Sequence, residues 1–150
     1  MICLPRMILV GAAMAATASG VAFAHHNSME GYDANAPVVL TGEISSIDWS
    51  GEHALVHIKT ADGKSWKVQA APVKTMRENG LDEAAFGAKD KVVIRGYQSK
   101  DKACKPECLA TAADVTFADG LKMKLDGTHA KETAKAVHDQ RVAARAKLGS

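Results

Sequence analysis

The turn Asp62-Gly63 constrains this chain more than any other stretch, because it is the strongest hairpin signal present and it separates two short runs of period two. In the first run, His53-Ala54-Leu55-Val56-His57-Ile58, the side chains of Ala54, Val56 and Ile58 fall on one face and those of His53, Leu55 and His57 on the other. In the second, Ser65-Trp66-Lys67-Val68, Trp66 and Val68 face one way. Two strands joined by a tight turn set the class of the fold as mainly β.

The segments on either side extend that reading. Val38 to Trp49 places Leu40, Ile44 and Ile47 in imperfect alternation, and the slip in phase with Gly42 predicts a long strand bent by a bulge. After the hairpin the period becomes helical: Pro72 suits a first turn, Val73 and Met76 share a face, and Asn79-Gly80 stops the helix. Asp82 is suited to cap a further turn before Phe86. Val92-Val93-Ile94, Leu109 to Phe117 and Leu121 to Leu125 then read as further strands, the last two joined at Asp119-Gly120. Three strands, one inserted helix and two or three more strands is the order of a small OB-like Greek-key barrel, here spanning residues 38–126, with a split sandwich as the other arrangement. Residues 127–150, rich in Ala, Lys, Glu and Arg, predict a charged helical tail that is partly frayed and contributes no core.

The chain begins with a different kind of segment. Arg6, an apolar stretch from Met7 to about Ala18 and the small-x-small exit Ala22-Phe23-Ala24 have the layout of a signal peptide over residues 1–24. The apolar stretch is short of the roughly 20 strongly apolar residues of a membrane anchor, so no membrane span is expected after cleavage. A periplasmic or secreted address follows. The mature chain would start at His25 and keep 126 of the 150 residues, enough for one buried core. Residues 25–37 are polar and irregular, broken by Gly31, Asp33, Asn35 and Pro37, and read as an N-terminal arm in which Tyr32 and Asp33 form a seating turn.

The formal charge of +2 falls to about +1 without Arg6, and aromatic residues make up 5 %, so neither electrostatic steering nor stacking points to nucleic acid. Cys3 leaves with the leader, and Cys104 and Cys108 remain as an even pair. In an oxidising compartment they are expected to form a disulfide around a small loop; the alternative for a C-x-x-x-C pair is binding a soft metal as thiolates. No Gly-rich phosphate loop or nucleophile motif occurs. Glu43, Asp48 and Glu52 are isolated strand or turn carboxylates, better read as a solvated face than as an acid–base set. The expectation is therefore a binding module and not an enzyme.

The stretches Ala24-His25-His26, Tyr32-Asp33, Leu40-Thr41-Gly42, Trp49 with His53 four later, Asp62-Gly63, Trp66, Gly80-Leu81, Gly87-x-x-Asp90-Lys91-Val92 and Asp119-Gly120 together resemble the small exported proteins of domain of unknown function 6152. The resemblance covers roughly Ala24 to Leu125. That family usually starts Ala-His-His-Ser and carries Trp-x-Asn-Pro-His, whereas this chain has Asn27 before Ser28 and Gly51-Glu52 in place of Asn-Pro. The resemblance implies an exported β-rich module with no established activity to carry over.

Imidazole is a good ligand for copper, zinc or nickel, and an N-terminal histidine adds its amine to its ring as a chelating pair. His25 would be that residue, with His26 beside it, His53 as a third nitrogen and His57 as a weaker candidate; copper is the cofactor this set suits. Against this stands an exposed arm and strand histidines that only cover a sheet face. His129 and His138 lie in the charged tail and are expected to face solvent. Trp49 and Trp66 are candidate ligand-face aromatics for an OB-type module that takes a small molecule, an oligosaccharide or a protein partner, although packing is the first expectation for a Trp. Cleavage after Ala22 would instead place a histidine third, which also chelates copper. Intact-mass spectrometry of the exported protein is predicted to read a start at His25; a chain that keeps residues 1–24 would refute the leader.

Overall fold

The computed structural model describes residues 29–148, so the expected signal peptide, residues 1–24, and the first histidines, His25 and His26, lie outside the described residues. The elements in order are β1 (Tyr32–Asp48), β2 (His53–Thr60), β3 (Ser65–Pro72), α1 (Val73–Glu78), a 3-10 turn (Glu83–Ala85), β4 (Lys91–Ser99), β5 (Cys108–Phe117), β6 (Lys122–Lys124) and α2 (Lys131–Leu148). The fold is mainly β, with one helix inserted between β3 and β4 and a longer one at the C-terminus. Among the described residues no helix is long and apolar enough to cross a membrane.

The strands form one sheet in the order β3-β2-β1-β4-β5-β6, and β3 pairs again, in parallel, with β5. That second pairing makes a ring of five strands. The ring is not a clean barrel: its seam is four residue pairs, Trp66↔Cys108 to Gln69↔Thr111, and β6 takes the other part of the same edge of β5. All remaining ladders are antiparallel.

Strand β1 holds the ring together by serving two partners. From Gly42 to Asp48 it pairs with β2, and up to Glu43 it pairs with β4. The expected bulge lies between Ile44 and Ser46, two residues beyond Gly42. Gly42 has another role: it is opposite Thr60 on one side and Val92 on the other, and an added Cβ would run into the Lys59 carbonyl. The boundary expected at residue 37 is displaced, because β1 begins at Tyr32 and Tyr32 and Asp33 are strand residues, not a seating turn. The polar, proline-containing start is tolerated since it pairs on one edge only, with an irregular register between Tyr32 and Pro37.

The alternation seen in the sequence fills the interior. Ala54, Val56 and Ile58 of β2, Trp66 and Val68 of β3, and Val92 and Ile94 of β4 are buried. Strand β5 presents the small residues Ala110 and Ala112 inward, and Gly96 opposite Ala112 has no room for a Cβ against the Thr111 carbonyl. Pro72 precedes α1 and Gly80 follows it with positive φ, as expected for its start and stop. Asp82 caps the 3-10 turn by accepting from the Ala84 N–H at 2.8 Å.

The tail differs from expectation. Helix α2 docks: Ala134 is fully buried, Val137 packs on the core, and Arg141 is 4 % exposed. The Arg141 guanidinium donates to Asp119 Oδ2 at 2.6 Å and Asp90 Oδ2 at 2.8 Å, and lies 3.9 Å over the Phe117 ring centroid. A mostly polar helix is thus fastened by charge-assisted bonds and cation–π contact, neither of which leaves an apolar period. His138, expected in solvent, is 14 % exposed in its side chain, with Nε2 2.8 Å from Asp82 Oδ1 and Nδ1 3.2 Å from Asp139 Oδ1.

Burial opposes the charge on His138, but Asp82 and Asp139 outweigh it and raise its pKa above the ordinary 6.5. Asp82 is held below its ordinary 3.8, where the His138 and Ala84 bonds overcome burial. A raised histidine stabilises fully below its unfolded pKa and is lost as pH rises through the folded one; a lowered carboxylate stabilises above its unfolded pKa and is lost as pH falls through the folded one. The docking of α2 is therefore predicted to be strongest between the two ordinary values, about pH 4 to 6.5. Asp82 is half-exposed, so screening keeps the effect below about 1 kcal/mol. Amide exchange in α2 at pH 5.5 and 8.5 measures it: His138→Gln should abolish the difference, and an unchanged difference would assign it elsewhere.

Candidate functional site

The outer face of β2 carries the two strand histidines because its other face is committed to the core. His53 Nδ1 lies 2.9 Å from the Ala70 carbonyl on β3, and His57 Nδ1 lies 3.0 Å from Glu107 Oε1. Both partners can only accept, so in each neutral ring Nδ1 carries the proton and Nε2 keeps its lone pair. A carbonyl or carboxylate on the far nitrogen is the arrangement that orients a metal-binding imidazole.

Glu107 reaches His57 because the Cys104–Cys108 disulfide closes the connection from β4 to β5 into a small loop. The expected bridge is formed, which excludes the thiolate alternative for the pair in this state. Both members of the His57–Glu107 contact are largely covered, with side chains 22 % and 23 % exposed. The carboxylate stands 50 residues away in sequence, so spacing alone did not reveal it.

The described chain enters across this same face. The Tyr32 hydroxyl donates to Gln69 Oε1 at 3.1 Å, and Gln69 is opposite Leu55, midway between His53 and His57. Burial raises the Tyr32 pKa, keeping the hydroxyl a donor. Thr111 fixes the next strand by donating from Oγ1 to the Gln69 carbonyl at 3.1 Å. His53 and His57 share the face but are four residues apart on an extended strand, about 13 Å at ~3.3 Å per residue. Their rings are also tied to different neighbours. Among the described residues no three His, Cys, Asp or Glu side chains are grouped to hold a metal.

The aromatic candidates fall differently. Trp66 is 8 % exposed and inside the sheet, in phase with Val68, so it is a core residue and not a ligand-face aromatic. Trp49 is half-buried and tilted against Phe86, with ring centroids 5.9 Å apart. Its buried Nε1–H has no partner among the described residues. Asp48 is occupied in its own turn, accepting from the Ser50 hydroxyl and backbone N–H, which hold its carboxyl below the usual range. In a long-range nitrogen–proton NMR spectrum of the neutral rings, His53 and His57 are predicted to show the proton on Nδ1. Glu107→Ala should return His57 alone to the solution mixture; a change at both or neither would contradict the separate anchors.

The comparisons bear on the same segment. No curated protein matches the chain. A family model, that of the Family of unknown function (DUF6152), matches residues 13–106, more than half of the 150. The match ends at Pro106, before β5, and not at Leu125 as the resemblance had implied. It includes the Ala24-His25-His26 start, β1 to β4 and both strand histidines, and on that match the chain belongs to the DUF6152 family.

Proposed function

We propose that this protein is an exported, non-catalytic binding module that takes one copper ion at its mature N-terminus. His25 supplies its amine and ring nitrogen, His26 lies beside it, and His53 completes the set from the face of β2; His57 is the weaker alternative. The observation that carries this reading is the pair of Nδ1 anchors, which leave Nε2 of each strand histidine available to an ion. His53 is preferred because it stands at the histidine position of the Trp-x-Asn-Pro-His pattern.

Reach supports the assignment. Tyr32 is seated over the stretch between His53 and His57 and closes a turn with Met29, whose carbonyl accepts from its N–H at 3.0 Å; Met29 stands four positions after His25. Four residues in extended form span up to about 13 Å at ~3.3 Å per residue, the same as the separation of His53 and His57 along β2. The periplasm or exterior, the expected address, is where such a module would meet copper.

Copper titration by calorimetry on correctly processed protein tests the proposal, and one ion per chain is expected. One alanine added before His25 displaces the amine from its chelate and should weaken binding about tenfold or more, as should His53→Ala. His129→Ala should leave binding unchanged. Acid should release the metal, because protons compete for the nitrogens. If the extended chain binds as tightly as the parent, the N-terminal site is wrong; if His57→Ala weakens binding and His53→Ala does not, the third ligand is His57.

A further inference from the structure

A second site lies where β1 changes partners. Thr60, Gly42, Val92 and Phe117 are successive register neighbours across β2, β1, β4 and β5. Gly42, in the middle of that row, contributes no side chain. A cavity of about 530 Å³ opens there, within the roughly 300–1,000 Å³ of small-molecule sites. Its lining is chiefly apolar: Ala61, Val93 and Ala118 face it with side chains that are not buried, whereas Val92 and Phe117 border it but are each 3 % exposed and belong to the core.

The adjoining row adds charge. Glu43 is opposite Lys59 on one side and Lys91 on the other, and all three line the cavity. They are exposed, and among the described residues none of the three is in an ion pair. Two ammonium groups against one carboxylate leave a net positive rim above an apolar floor. Lysine stems can lie along such a floor while the ammonium meets the head of a ligand.

The geometry points to a binding site for a monocarboxylate with an unbranched apolar tail, the tail on Ala61, Val93 and Ala118 and the head at Lys59 and Lys91. Glu43 opposes that head and so limits affinity. The site is independent of the copper reading, since it uses none of the histidines.

The test uses the processed, copper-free protein with decanoate and decyltrimethylammonium, both below micelle-forming concentration. Decanoate is expected to bind one per chain by calorimetry and to move the amide NMR signals of Val92, Val93 and Ala118. The ammonium amphiphile should bind at least about tenfold more weakly. The double variant Lys59→Gln, Lys91→Gln should weaken decanoate about tenfold, whereas Glu43→Gln should tighten it several-fold. These side chains are exposed, and circular dichroism verifies that each variant folds. Equal binding of the two amphiphiles, charge variants without effect, or signal changes confined to other strands would each overturn the proposal, as would no decanoate binding by the folded parent.

Discussion

The double pairing of β1 is the constraint on which the rest of the structure depends. A strand has two edges, and β1 uses them in succession, so that around Gly42 and Glu43 it is hydrogen-bonded to β4 and β2 together. This joins the β2–β3 hairpin to the β4–β5 pair and lets β3 come round to β5. Backbones cross too closely at Gly42 for any side chain. The cavity proposed as a second site lies beside this crossing, with Gly42 among its lining residues.

A different principle fastens the C-terminal helix. Arg141 is buried and paired with the less covered carboxylates of Asp90 and Asp119, drawn from the turns before β4 and after β5. Removing one partner of such a group leaves charge without compensation, which is costlier than losing a surface pair. Phe117 links the two systems, because its ring meets Phe86 at 5.8 Å and carries the Arg141 guanidinium on its face. The helix is therefore part of the domain although its composition resembles that of a solvated tail.

What was legible in the sequence was local. The Asp62-Gly63 turn, the inward sets of β2 and β3, the helix between β3 and β4, the Asp82 cap and the Cys104–Cys108 bridge each depend on residues within a few positions of one another. What was not legible joins distant residues through polar groups: Arg141 with Asp90 and Asp119, His138 with Asp82, and Glu107 with His57. Such contacts leave no period. The start of β1 was obscured for another reason, since a strand paired on one edge accepts the polar residues and Pro37 that normally argue against one. Trp66 showed its face correctly, but alternation does not say which face is inside until the partner strands are known.

The seam between β3 and β5 also bears on the order in which the chain folds. Its partners, such as Trp66 and Cys108, are far apart in sequence, whereas β2 and β3 meet across a few residues at Asp62-Gly63. Closing a long loop costs more chain entropy than closing a short one, and the reward comes only after the ends meet. The hairpin is thus expected to be an early nucleus and the seam a late event. Until it closes, the matching edges of β3 and β5 are exposed together, and a second unfolded copy can compete for them. The interval between formation of the hairpin and arrival of β5 is the period of greatest exposure to strand exchange between copies.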